Sequence, residues 1–93
     1  MRTRRRKPTH PGAILRLEFL EPMELTQRQL AEHMGYEVKT INRLVNERTR
    51  VTPALALSLS KALGTTPEFW LNLQNALDLW RAPAPDHGLL VAE

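Results

Sequence analysis

Apolar residues recur three and four positions apart along most of the chain, which is the spacing of one face of an α-helix. Residues typical of helix starts and helix ends divide this pattern into five segments. No segment shows the sustained alternation of apolar and polar residues that indicates a strand. We therefore expect an all-α fold, with helices over residues 11–21, 27–34, 38–46, 53–63 and 67–80.

The second predicted helix has the clearest boundaries. Thr26 and Gln29 have the spacing of a capping box, in which each side chain bonds the backbone N–H of the other residue. Leu25 and Leu30 occupy the two hydrophobic-staple positions around this box. Gly35 follows where helices often end in a left-handed conformation. The fourth and fifth helices each begin with a threonine followed by proline, Thr52–Pro53 and Thr66–Pro67.

The third predicted helix is amphipathic. Its apolar face contains Ile41, Leu44 and Val45. Its opposite face is polar and consists of Lys39, Asn42, Arg43 and Asn46. About three residues around Gly35 separate it from the second helix, which is the spacing of a helix-turn-helix motif. In that motif the apolar face holds the third helix against the second, and the polar face is left for the major groove of DNA.

The first and fifth helices supply further apolar residues, and in the fifth these lie on more than one side. Apolar surface in the first helix comes from Ile14, Leu17, Phe19 and Leu20. The main apolar face of the fifth, which we expect to enter the core, contains Phe69, Leu73, Ala76, Leu77 and Trp80. Leu71 and Leu79 lie off that face, so we expect them to form a dimer interface. The alternative is that they are isolated surface leucines, which are common.

Composition limits the class of protein. The chain has 93 residues, the size of one domain, and 42% of them are hydrophobic. It has no cysteine, so thiolate metal sites are excluded, and its three histidines are scattered without a second ligand at metal-site spacing. No stretch approaches the ~18 apolar residues that a membrane span needs, and no secretory signal is evident. We expect a cytoplasmic protein without a metal or other cofactor and without membrane contact.

Positive charge is concentrated in two regions. Five of the thirteen Lys and Arg residues lie within residues 1–7, and a smaller excess falls within residues 27–50. The remaining segments are acidic, and the formal net charge is +3. Such segregation suits a polyanion bound to one face, although a merely solvated surface is also compatible with it. We expect a basic flexible arm over residues 1–9, a helix-turn-helix domain over residues 10–82 and a loose tail over residues 83–93.

Three motifs carry a family resemblance. The segment from Gln27 to Asn46, QRQLAEHMGYEVKTINRLVN, resembles the helix-turn-helix of the lambda-repressor-like (XRE) family. HPGAILRLEFLEP at residues 10–22 and GTTPEFWLNLQNALDLW at residues 64–80 are similar to flanking motifs of the HigA antitoxins, also called VapI-type regulators. The resemblance implies a five-helix lambda-repressor-like domain. It further implies a dimeric DNA-binding antitoxin that neutralises a HigB-type ribonuclease toxin and represses its own operon.

The expectation of a DNA-binding helix-turn-helix gives candidate contacts with double-stranded DNA. Lys39 and Arg43 are the first candidates for reading bases, because long cationic side chains can donate to guanine O6 and N7. Asn42 and Thr40 are secondary candidates, and Glu37 can accept from cytosine N4. The candidates for phosphate contacts are Gln27, Arg28, Asn46, Arg48 and Arg50. We expect a homodimer on a palindromic operator, with half-sites about one helical turn apart.

The chain departs from the family pattern at two positions. Glu37 stands where the family commonly has a small hydroxyl residue, and Glu47 follows Asn46 where it commonly has glycine. An enzyme is not expected, because the chain lacks a cysteine nucleophile, a Ser-His-Asp set and a glycine-rich phosphate loop. Two other functions remain open at this point: a stand-alone repressor of the same fold without a toxin, and a protein-interaction module that has lost DNA binding.

Overall fold

The structure, a computed structural model, describes residues 6–85. The rest of the predicted arm and of the predicted C-terminal tail, residues 1–5 and 86–93, lies outside the described residues. Five helices and no strand are present between residues 6 and 85, which confirms the expected all-α fold. The helices are α1 (Pro11–Ile14), which continues as a π-helical segment (Leu15–Leu20), α2 (Gln27–Met34), α3 (Val38–Val45), α4 (Pro53–Leu63) and α5 (Pro67–Arg81).

Three of the predicted helix starts are confirmed in atomic detail. The Thr26 hydroxyl accepts the backbone N–H of Gln29 at 3.0 Å, and the Gln29 side chain accepts the backbone N–H of Thr26 at 2.9 Å. Thr52 and Thr66 cap α4 and α5 in the same way, each accepting the N–H three residues ahead. Because these caps satisfy backbone groups that the helix leaves unpaired, they fix where each helix begins.

The π-helical segment changes which leucines of the first helix are buried. Leu15 and Leu20, five residues apart, are both buried, whereas Leu17 is exposed. A π-helix bonds residues five apart, as in the 3.0 Å contact from the Glu21 N–H to the Arg16 carbonyl, and thus brings such pairs to one side. Leu17, one of the four apolar residues named for the first helix, therefore lies outside the core, and the fully buried residue is Leu15.

The core lies between the first helix with its π-helical segment, the α2–α3 pair and the α4–α5 pair. It is built from leucines together with Ile41, Val51 and Trp70, all of which are almost fully buried. Burial of each large apolar side chain contributes about 1.5 to 3 kcal/mol relative to exposure. The apolar side of α3 packs into this core, and its polar side is exposed.

The side of helix α5 that faces the core matches the predicted one only in part: Leu77 is buried and Leu73 packs against the core, as expected. Its buried residues are Trp70, Gln74 and Leu77, at the i, i+4, i+7 spacing of one helical face. Phe69, Ala76 and Trp80, which we expected in the core, are exposed, so that expectation is wrong for them. The reason is that α5 is apolar around much of its circumference, and the Trp70 ring packs against Phe19, with ring centroids 5.5 Å apart.

Candidate nucleic-acid interface

Helices α2 and α3 form the predicted helix-turn-helix. Gly35 ends α2 with a left-handed φ of 74°, and the Tyr36 N–H bonds the Ala31 carbonyl at 2.9 Å. Such a reversal closes the end of a helix and turns the chain within a few residues. Ile41 and Leu44 then pack into the core without any solvent exposure, which fixes α3 against α2.

The side of α3 away from the core carries the predicted base-reading cations. Lys39, Asn42, Arg43 and Asn46 are all exposed, and we call these four residues the recognition face. Together with Arg48 they line one shallow depression of about 550 Å³. Its lining has three cations and two amides and contains no carboxylate among the described residues. Such a surface is complementary to phosphate groups and to the acceptor atoms of guanine.

The other two predicted base readers lie at the edge of this face. Glu37 precedes α3 as its N-cap residue and is exposed, and its carboxylate makes no capping hydrogen bond within the described chain. Thr40 is half-buried. The structure thus places Lys39 and Arg43 in the same depression of the recognition face, which Glu37 and Thr40 do not line.

A ladder of amide side chains joins α2 to the recognition face. The Asn42 Nδ2 donates to Gln27 Oε1 at 3.1 Å, and the Asn46 Nδ2 donates to Asn42 Oδ1 at 3.2 Å. The ladder uses acceptor oxygens of Gln27 and Asn42, and N–H donors remain on all three amides. A row of donors is what phosphate oxygens require. Sequence reasoning named all three residues but did not foresee that they bond one another.

The predicted phosphate contacts differ in their surroundings. Gln27 and Arg28 form the first turn of α2, where a helix N-terminus favours anions, and Arg28 is exposed. Arg48 is exposed in the loop after α3. Arg50 instead forms a two-pronged ion pair with Asp78 of α5, at 3.1 and 2.6 Å.

The Arg50–Asp78 pair belongs to a network that holds the loop after α3 against α5. Buried Gln74 accepts the Val51 N–H at 2.8 Å and donates to Asp78 at 3.0 Å. Hydrogen bonds from Arg50 and then from Gln74 lower the pKa of Asp78, and the bond with Asp78 raises the pKa of Arg50. The side chain of Arg50 is therefore engaged within the protein. No local sequence signal links residues 28 positions apart, so this pairing was not predictable.

Glu47, the second departure from the family pattern, has an unusual backbone. Its φ is 62°, in the left-handed region where glycine is favoured over residues with a Cβ. Glu47 adopts this conformation in the turn that ends α3, where its N–H bonds the Leu44 carbonyl at 2.9 Å. The Asn-Gly pattern of the resembling family was the signal that marked this position.

The predicted dimer residues are unequally exposed. Leu79 is 69% exposed, whereas Leu71 is half-buried and packs against the core. Phe69 and Trp80 add exposed aromatic surface to the same helix. Helix α5 therefore presents more apolar surface to solvent than the sequence pattern indicated, and it comes mainly from the face that was expected to be buried.

Two other properties of the described residues bear on function. None of the helices within residues 6–85 is both long and apolar enough to cross a bilayer. In the same part of the chain, no three His, Asp or Glu side chains come together in a group that could hold a metal ion.

Comparison with known proteins matches this fold and site to one family. A family model described as helix-turn-helix matches residues 17–70. Antitoxin HigA-1 of Vibrio cholerae serotype O1 is 49% identical over 80 residues, which are 86% of this chain and 75% of that protein. Antitoxin GraA in complex with its operator superposes with a TM-score of 0.77 at 46% identity, over 85% of this chain and 80% of the other. Pseudomonas aeruginosa antitoxin HigA with the higBA promoter gives 0.76 at 34%, over 78% and 79%.

The fold is that of a helix-turn-helix regulator. The family model covers more than half of the chain, and the identity with HigA-1 extends over most of it. The chain belongs to the helix-turn-helix family and, within it, to the HigA-type antitoxins. The family resemblance of the sequence motifs is thereby confirmed, and the relatives are DNA-binding regulators and antitoxins rather than enzymes.

Proposed function

We propose that this chain is a DNA-binding antitoxin that represses its own operon and neutralises a HigB-type ribonuclease toxin. The observation that carries the DNA-binding part is the recognition face, a cationic and amide-rich surface on a helix whose opposite side is anchored in the core. Two relatives of the same fold are bound to an operator or a promoter. The toxin partner rests on membership of the antitoxin family.

Base reading is assigned to α3 in the major groove. Lys39 and Arg43 lie one helical turn apart on the recognition face and donate to guanine O6 and N7. Thr40 contacts a neighbouring base edge, and Glu37 accepts from a cytosine N4 at the start of the helix. Asn42 has two hydrogen bonds within the ladder, so its part is to hold Gln27 and Asn46 in place for their phosphate contacts.

The proposed phosphate contacts surround the recognition face. Gln27 and Arg28 bind phosphates of one DNA strand at the N-terminus of α2, where the amide donors and the helix dipole both favour anions. Asn46 and Arg48 bind DNA phosphates beyond the end of α3. Because Arg50 is paired with Asp78, we assign it to holding the loop after α3 against α5. It can contact a phosphate only when this ion pair is broken.

A homodimer on a palindromic operator completes the proposal. One recognition helix reads few base pairs, and two copies related by a two-fold axis place their helices about 34 Å apart along the DNA. The interface is assigned to α5 through Leu79 and Leu71, and exposed Phe69 and Trp80 extend it. Action on DNA places the protein in the cytoplasm, and it requires no cofactor.

The experiment has a DNA arm and a toxin arm. Purified protein is titrated onto the DNA upstream of its own coding sequence, with a shuffled sequence as control and with EDTA added to half of the samples. We expect specific binding that EDTA leaves unchanged. The small protein encoded beside it is expressed with and without this chain, and growth arrest that the chain relieves is the expected result.

The failures of the two arms have different meanings. Specific DNA binding without a neutralised partner would leave a stand-alone repressor of the same fold. Absence of specific DNA binding, with a protein complex still formed, would mean an interaction module that has lost its DNA function. Either outcome contradicts the corresponding half of the proposal.

A further inference from the structure

A buried histidine lies where the first helix meets the end of the recognition helix. His10 is 5% exposed and is the N-cap residue of α1. Its Nδ1 accepts the backbone N–H of Gly12 at 2.9 Å. This bond requires an unprotonated Nδ1, so the ring must be neutral with its proton on Nε2.

Gly12 lies directly against the last turn of α3. A Cβ built on Gly12 would lie 1.7 Å from the carbonyl oxygen of Leu44, so only a residue without a side chain fits there. The Leu44 carbonyl in turn accepts the Glu47 N–H at 2.9 Å and so belongs to the turn that ends α3. The start of α1 thus packs directly against the C-terminal end of α3, the recognition helix.

We propose that neutral His10 is a positioning residue for operator recognition: by accepting the Gly12 N–H it holds the start of α1 against Leu44 and fixes the direction in which α3 enters the groove. This inference rests on the proposed DNA-binding function. His10 is buried and is assigned no contact with bases or phosphates. It acts through Gly12 and the end of α3, because a helix that shifts by a fraction of an ångström loses the alignment that base contacts need.

Protonation of His10 removes the acceptor. The imidazolium carries an N–H at Nδ1, which then opposes the Gly12 N–H, and it places a positive charge beside a helix N-terminus. Burial, the largest influence, lowers the pKa of His10 below its usual 6.5, and Arg81 and Lys7 act in the same direction. Glu47 and the backbone of Thr49 face the ring and raise the pKa, without reversing the net shift.

The direction of the pH effect follows from this shift. Because the folded protein binds the proton less readily than the unfolded chain, the His10 contribution is complete above pH 6.5. It is lost as the pH falls below that value and through the lowered pKa of the folded state. Operator binding should therefore weaken on mild acidification. General electrostatics predicts the opposite, since added protons raise the positive charge of the protein and favour phosphate binding.

The test compares operator affinity at several pH values between about 7.5 and 5.5, the range in which histidine titrates. Wild type is compared with His10→Asn, His10→Ala and the control His33→Asn, whose histidine is exposed on α2. Asparagine supplies an N-cap acceptor that does not titrate in this range. Circular dichroism at each pH identifies the conditions in which every variant is folded, and only these are compared.

We expect wild type and His33→Asn to lose operator affinity at the acidic end relative to the alkaline end. His10→Asn should bind like wild type at the alkaline end and lose little on acidification. His10→Ala, where folded, should bind more weakly at every pH.

Two results would overturn the inference. If wild type binds the operator but His10→Asn weakens with acid as much as wild type does, His10 is not the group responsible, and the proposed function stands. If wild type does not bind its operator even at the alkaline end, the proposed function fails and this inference fails with it. Because His10→Asn supplies the decisive comparison, the inference stays testable even if His10→Ala does not fold.

Discussion

Glu47 shows how a single backbone angle shapes the end of the recognition helix. Its left-handed φ is unfavourable for a residue with a Cβ, and its carboxylate lies next to a surface assigned to DNA. The position is held because the end of α3 is closed by hydrogen bonds from Asn46, Glu47 and Arg48 back to α3 carbonyls. The backbone strain at Glu47 is therefore confined to this turn, and a substitution at this one position can relieve it.

Glu47→Gly should raise the free energy of unfolding by about 0.5 to 1 kcal/mol, because glycine adopts this φ without strain. Urea denaturation measures the change. The matched control is Glu32→Gly, the same substitution at an exposed site inside α2, which should lower stability by about 1 kcal/mol. A fall in stability for Glu47→Gly as well would mean that the carboxylate makes a contact that outweighs the backbone strain.

At the residue scale, the sequence predicts what is local and misses what is distant. The capping box of Thr26 and Gln29 was predictable because its partners are three positions apart. The bonds from Asn42 to Gln27 and from Arg50 to Asp78 join positions 15 and 28 apart, so they exist only once the helices are packed. Asn42 could be named as a polar residue of α3, but its role in the ladder could not.

At the scale of elements, helix existence was predictable and helix orientation only in part. Helix α3 has one apolar and one polar side, and its buried residues are those expected. Helix α5 has apolar residues on nearly all sides, so periodicity alone could not distinguish the Trp70 face from the Trp80 face. The π-helical segment after α1 has no sequence signal in a pattern based on 3.6 residues per turn.

The orientation of α5 gives a contrast between two tryptophans of the same helix. Trp70→Ala should lower the free energy of unfolding by about 3 to 5 kcal/mol, because the ring is fully buried and its Nε1–H bonds Thr65 at 2.7 Å. Trp80→Ala should change it by less than about 1 kcal/mol, because that ring is 44% exposed. Urea denaturation at low protein concentration, where dimerisation contributes little, measures both. Equal losses would contradict the orientation of α5 described above.

At the scale of the whole molecule, one small core carries two exposed surfaces of different character. The recognition face is cationic and polar, whereas the exposed side of α5 offers Leu79, Phe69 and Trp80. The Arg50–Asp78–Gln74 network connects the loop behind the recognition face to α5. A dimer formed through α5 would thus hold two reading helices in a fixed relation.

Replacing Leu79 and Trp80 together with serine should shift the protein from dimer toward monomer, because both side chains are exposed on α5 and leave the core intact. Operator binding should weaken with the loss of the dimer, while helicity is retained. Analytical ultracentrifugation measures the assembly. The matched control is Leu57→Ser, a 60% exposed leucine on α4, which should change nothing. A double variant that stays dimeric would assign the interface to another surface.

The most direct test of the central assignment, that α3 reads the operator, is the affinity of wild type and Arg43→Ala for operators with each base pair changed in turn. The exposed cation Lys61 of α4 supplies the control, Lys61→Ala. Arg43→Ala should lose about 1 to 3 kcal/mol of discrimination at one base pair in each half-site and keep it elsewhere, with stability unchanged. Equal weakening on every sequence would make Arg43 a phosphate contact, and an unchanged pattern of discrimination would contradict base reading by Arg43.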